Sequence, residues 1–166
     1  MGIAFQKIAI NTALVMGCSI SAWTQAQSLK QCGTGALLVG QKQVGAASYF
    51  AQDCSLPWQA QNIQMDFSYT SNIPEWAFKR AATHLLKRNV KDAKTQALFD
   101  PITDLYRPVR SGDLYRLKYL HATQTLSLSL NRQSLGQLQH PLAQQYFNIW
   151  LGPQPFSAKL KQQLLD

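Results

Sequence analysis

Apolar and polar residues alternate with period two in several short stretches of the chain. Ile63, Met65, Phe67 and Tyr69 are separated by Gln64, Asp66 and Ser68, the pattern of a strand buried on one face. Leu126, Leu128 and Leu130 alternate with Ser127 and Ser129 in the same way, which predicts a strand over 125–130 paired in a hairpin with 114–121. Two further strands, 29–39 and 44–51, flank Gly40-Gln41-Lys42-Gln43, a second hairpin signal. Asn131-Arg132-Gln133-Ser134 turns the chain into a short edge.

After Tyr69 the period lengthens. Asn72-Ile73-Pro74-Glu75 reads as a helix start: Asn72 as the cap, Pro74 in the first turn, Glu75 three residues after the cap. Ile73, Trp76, Ala77, Ala81, Leu85 and Leu86 form its apolar face, and Lys87 and Arg88 lie near its end, where cations favour the helix dipole. The stretch 92–106, broken by Pro101 and followed by Pro108, reads as partly helical. A helix over 141–151 carries Leu142, Tyr146, Phe147, Ile149 and Trp150 and stops at Gly152-Pro153. Ser157 caps a last helix with Leu160, Leu164 and Leu165. Strands, helix, strands, helices is the order of an α+β domain.

The first 26 residues follow a different rule. Lys7 precedes the uncharged run Ile8-Ala9-Ile10-Asn11-Thr12-Ala13-Leu14-Val15-Met16-Gly17, and Thr24-Gln25-Ala26 offers a small-residue cleavage site. Basic, apolar, small is the order of a secretory signal, so 1–26 is expected to be removed and 27–166 to remain as one domain outside the cytoplasm, periplasmic or secreted. The run falls short of the roughly 20 apolar residues that span a bilayer. Val15-Met16-Gly17-Cys18 also loosely matches a lipoprotein box, in which Cys18 would carry the lipid. Cleavage after Ala26 is the favoured of the two routes.

Export gives the remaining cysteines their meaning. Cys32 and Cys54 flank the first hairpin, and an even pair in an oxidising compartment is most simply a disulfide; two inert buried thiols are the alternative. With 46% hydrophobic and 14% charged residues the chain can bury a real core. Its formal charge of +8 suits anionic headgroups or acidic ligands outside the cytoplasm, where nucleic acid is not expected. Lys79, Arg80, Lys87, Arg88, Lys91 and Lys94 concentrate that charge. A solvated helix face is the favoured reading of them, and attraction of an anionic membrane surface or ligand is the alternative.

The C-terminal half carries Gly112-Asp113, a hairpin ending near Asn131 and Gly136, then Phe147-Asn148-Ile149-Trp150-Leu151-Gly152-Pro153 and the closing Leu160-Lys161-Gln162-Gln163-Leu164-Leu165. Gly33-Thr34-Gly35 and Val44-Gly45-Ala46-Ala47-Ser48-Tyr49-Phe50 complete the pattern nearer the start. In these residues the chain resembles the bacterial chalcone-isomerase-like proteins. The resemblance implies an open-faced β-sandwich, a curved antiparallel sheet with helices packed on one face and a ligand cleft between the layers. Members of that superfamily close a flavanone ring, bind fatty acids, or have no known activity. On this reading Leu37, Ala47 and Tyr49 line the cleft from the sheet and Trp76, Tyr146 and Trp150 from the helices, although aromatics at helical spacing are also ordinary core.

The chain departs from the enzymes of that superfamily where their chemistry resides. Leu37 stands where they carry an arginine, and Gly45, Ala46 and Ala47 where they carry a threonine; Ser48 and Tyr49 are the polar candidates nearby, and without a cation or clustered donors a developing oxyanion gains little. Arg107, Arg110 and Arg116 are the other cations within reach of such a cleft. His84, His121 and His140 lack metal-pair spacing, the eight carboxylates are scattered, and neither a nucleophile elbow nor a phosphate loop occurs. The expectation is a non-catalytic protein without metal or cofactor that binds a small apolar or amphipathic ligand such as a fatty acid. An isomerase or lyase of conjugated carbonyl compounds, and an envelope interaction module, are the alternatives.

Overall fold

The computed structural model describes residues 28–166; the expected signal segment, with Cys18, lies outside the described residues. Six strands form one antiparallel sheet in the order of the chain: β1 (Lys30–Val39), β2 (Lys42–Ala51), β3 (Ile63–Tyr69), β4 (Leu114–Leu120), β5 (Thr125–Leu130) and β6 (Gln133–Gln139). Between β3 and β4 come α1 (Glu75–Asn89), α2 (Ala93–Ala97) and α3 (Asp100–Thr103). After β6 a 3₁₀ segment, Ala143–Phe147, runs into α4 (Asn148–Leu151), and α5 (Ala158–Leu165) closes the chain. This is the α+β architecture expected from the pattern, in the open-faced form that the resemblance implies.

Period-two alternation sends one set of side chains to the helices. Register builds rows across the sheet: Tyr49, Met65, Leu117 and Leu128 in one, Ala51, Ile63, Tyr119 and Leu126 in the next. All eight are buried. The other face is polar. Thr34 and Ser48 meet there at 3.1 Å, and Arg116 grips Asp66 across β3 and β4 through Nε and Nη2 at 2.8 and 2.7 Å.

Helices reach the sheet closely where strands lack side chains. A methyl group on Gly33 would fall on the backbone carbonyls of Gln163 and Leu164 in α5, and one on Gly136 would meet the Leu105 side chain just past α3. Neither glycine has a positive φ, so close approach alone demands them.

Several elements differ from the sequence expectation. Asn72 does not cap α1; its Oδ1 accepts from Ser111 N, and the bridge between Ile73 and Val109 keeps the chain extended up to Pro74. Glu75 pairs with Lys79 one turn on, at 2.8 Å. The expected helix over 141–151 is a tighter 3₁₀ turn for its first half. The short edge is a full seven-residue strand, β6, entered through Asn131 and Arg132, both in the left-handed region. The stretch 92–106 resolves into α2, capped by Asp92, and α3.

Cys32 and Cys54 are bonded, with their Cα atoms 5.4 Å apart. Cys54 sits in the turn after β2 rather than in the strand. Gln61 holds that turn from inside: its Nε2 donates to the carbonyls of Asp53 and Leu56 at 2.8 and 3.0 Å, and its Oε1 accepts from Asp53 N. A disulfide fits an oxidising compartment outside the cytoplasm.

Two outcomes follow for stability. Replacing both Cys32 and Cys54 with serine should cost about 3 kcal/mol, because the loop they close no longer restricts the unfolded chain. Urea denaturation of the variant measures it, and an unchanged midpoint would count against a formed bond. Gly33→Ala should cost roughly 1–3 kcal/mol by forcing α5 off β1, an overpacking penalty read from the same denaturation curves.

Candidate functional site

A cavity of about 250 Å³ lies between the first three strands and α1. Its sheet wall is Leu37 of β1, Val44 of β2 and Phe67 and Tyr69 of β3; Gly45, which stands between Leu37 and Tyr69 in the register, is outside the lining. Gly45 contributes no side chain. Opposite, α1 presents Ala77, Ala81 and Ala82, whose short side chains cannot fill the gap a leucine would close. Phe78 and Tyr106 stack at 5.3 Å to form one end wall. Ile149, Trp150 and Phe156 form the other.

That second wall is held by a clamp at the end of α1. Asn89 Nδ2 donates to the carbonyls of Leu85 and Gln154, and Asn89 Oδ1 accepts from Gln154 N, all at 2.9 Å. Phe156 N then donates to Ile149 O at 2.7 Å, which fixes the segment carrying Phe156. Trp150 packs its ring on Phe67 with centroids 4.7 Å apart.

No charged side chain lines the cavity. Its polar groups are phenols and an indole. Tyr106 is engaged with Tyr146, whose hydroxyl also meets Thr103 Oγ1 at 3.2 Å. Behind them Tyr115 spends its hydroxyl on the backbone of Arg107, donating to the carbonyl and accepting from the amide. Tyr69 and Trp150 carry the lining's other polar groups, Oη and Nε1, and neither makes a hydrogen bond among the described residues. Val39 and Ala81, the exposed members of the lining, mark the mouth.

Of the residues expected to line a cleft, Leu37 and Trp150 meet in this cavity. Ala47, Tyr49 and Tyr146 are buried in the layer between sheet and helices, outside its lining. Trp76 stands 64% exposed on α1, next to the lining residue Ala77. Tyr69, Phe78, Tyr106 and Phe156 enter the wall unannounced. The available signals were Tyr69 as the last apolar position of a period-two strand and Ala77 and Ala81 as a small pair at helical spacing.

The cations lie elsewhere. Arg116 is held by Asp66 on the opposite face of the sheet, Arg107 Nη1 turns back to the carbonyls of Asp104 and Tyr106, and Arg110 is exposed. His84 and His121 are exposed, while His140 Nδ1 accepts from Leu142 N at 3.1 Å. Among the described residues no cluster of three or more histidines, cysteines and carboxylates could hold a metal ion.

A family model described as chalcone isomerase-like matches residues 34–166. The chain belongs to the chalcone isomerase-like family. The fold of this family member is similar to that of a fatty-acid binding protein from Arabidopsis thaliana, with a TM-score of 0.64 at 17% identity over 83% of this chain and 87% of that one. At that identity the likeness establishes the fold. No curated protein matches the sequence.

Burial raises the phenol pKa of all six tyrosines of this chalcone isomerase-like domain: Tyr49 and Tyr146 to about 12, and Tyr69, Tyr106, Tyr115 and Tyr119 above the ordinary 10.0. Folding thus favours the neutral phenol. The stability this contributes is whole below pH 10 and is lost as pH climbs through the folded values near 12. A near-ultraviolet titration should show clearly less phenolate at pH 10 than the roughly half-ionised tyrosines of the unfolded chain, while circular dichroism stays native. Ionisation should coincide with unfolding; several phenols ionising in a native spectrum would contradict the burial argument.

Proposed function

We propose that this protein binds, without transforming it, a fatty acid or comparable amphiphile whose apolar chain enters the cavity, and that it does so outside the cytoplasm. The observation that carries the reading is the lining: aliphatic and aromatic side chains with two unengaged neutral donors and no charge. An apolar cavity of roughly 150 Å³ suffices for a benzene ring, so this one accommodates a longer stretch of hydrocarbon. A carboxylate would lose its hydration inside without gaining a counter-ion, and therefore stays at the mouth.

The same lining argues against ring closure. Charge developing on an enolate oxygen needs a cation or converging donors in place beforehand, and loss of one such donor costs about 3 kcal/mol. The resemblance matches Leu37 to the arginine of the superfamily's enzymes, and neither Arg107, Arg110 nor Arg116 lines the cavity. The Arabidopsis relative in fold is titled a fatty-acid binding protein, which supports the ligand class. The disulfide supports the compartment.

Thermal unfolding with and without medium-chain and long-chain fatty acids tests the proposal. A ligand at a hundredfold excess over its Kd adds about 2.7 kcal/mol, a rise of several degrees in Tm. Ala81→Trp places a large ring across the mouth from an exposed helix position, so it should leave the unliganded Tm within a degree or two and abolish the rise. Protection that persists in this variant would place the ligand elsewhere. Turnover of a chalcone well above the solvent rate would overturn the non-catalytic reading.

A further inference from the structure

The rim of the cavity combines exposed hydrophobic residues with unpaired positive charge. Val39 belongs to the lining and is 59% exposed, and Lys42 is its direct partner across the β1–β2 hairpin. On α1, Ala77 and Ala81 lie one turn apart and face the mouth. Helical geometry at 3.6 residues per turn sets Trp76, Arg80 and His84 along the solvent side of that stripe and continues it, two turns past Ala81, with Arg88. Trp76 is 64% exposed and touches no other ring among the described residues.

The charge balance of this rim is one-sided. Lys42, Arg80, Lys87 and Arg88 are exposed and have no acidic partner among the described residues. The carboxylate on α1, Glu75, is taken by Lys79, which also reaches Asp104 at 3.6 Å, and that pair lies on the flank of the helix turned away from the mouth. An exposed tryptophan on α1 and an exposed valine on β1, with unpaired cations on the same helix and hairpin, match a bilayer surface: the indole suits the headgroup boundary and the cations suit anionic phosphates.

We infer that the cavity mouth is a membrane-docking surface, on which Trp76 and Val39 enter the headgroup region of an anionic bilayer while Lys42, Arg80 and Arg88 contact its phosphates. Docked in this way the mouth opens onto the acyl layer, and an amphiphile passes between bilayer and cavity without its chain crossing water.

Flotation with vesicles tests the surface. Protein recovered from the exporting host, so that wild type and variants share one N-terminus, is mixed with phosphatidylcholine vesicles with or without phosphatidylglycerol. Wild type should float with the anionic vesicles and be released at ionic strength on the order of 1 M, where screening is complete within about 3 Å. Trp76→Ser and Val39→Ser, both at exposed positions, should each weaken binding several-fold with Tm unchanged. Arg80→Gln with Arg88→Gln should weaken binding to anionic vesicles by roughly fivefold per charge removed. Lys118→Gln, on the polar face of the sheet, should not change it. Absence of binding to anionic vesicles, equal binding by the rim variants, or an equal loss with Lys118→Gln would each overturn the inference. So would a dimer in sedimentation that Trp76→Ser dissociates, since the rim would then be covered by a second copy. Vesicle binding is read without ligand, so its failure leaves the ligand reading of the cavity untouched.

Discussion

A single sheet covered on one face has to satisfy two solvents at once, and the rest of this molecule is arranged around that constraint. Each strand must deliver every second position to an apolar layer and the positions between to water. The nearest-neighbour order β1 to β6 does this with hairpins, so a register error anywhere would turn one strand's apolar set outward. The polar face is knitted by its own cross-strand pairs, Thr34 with Ser48 and Asp66 with Arg116. The apolar face depends on two separate stretches of chain, the α1–α3 excursion and the C-terminal α4–α5 segment. They meet over the first three strands, and the cavity is the space that the alanines of α1 leave there.

What the sequence disclosed tracks how local the determining physics is. Ile63 to Tyr69 and Leu126 to Leu130 declare their faces because each alternate residue is plainly apolar, and the observed strands coincide with them. Ser157 was legible as a cap because it accepts from Leu160 N within its own helix. Asn72 misled because its oxygen serves Ser111, far along the chain. β6 was hard to see because Leu135 and Leu138 are only half-buried and a register shift opposite it blurs the alternation. Its entry turn uses Arg132 at φ 69° where glycine is the usual signal.

The candidate site was less legible for the same reason. Leu37 and Trp150 were identifiable because they sit in motifs that resemble the family's. Tyr69 and Phe156 join them through packing between layers, which no local spacing encodes. Trp76 shows the difference most clearly. Ala77, the next residue along α1, faces the cavity, yet Trp76 itself is rotated about 100° around the axis and stands in solvent. The hydrophobicity of a residue indicates that it needs a partner, but not whether that partner belongs to the same chain.

The meander has one more consequence, at its two ends. An open sheet leaves unpaired backbone groups along its first and last strands, a template for adding further strands and hence for aggregation. Here β1 is bent by a register shift between Gln31 and Gly33, tied down by Cys32, and overlain by α5. The last strand, β6, offers Gln133, Ser134, Gln137 and Gln139 to solvent. Strand-wise polymerisation is therefore discouraged at both borders, while the adhesive residues Trp76 and Val39 are confined to the rim of one opening. Exposed apolar side chains can then serve contact at an opening without the sheet's borders recruiting further strands.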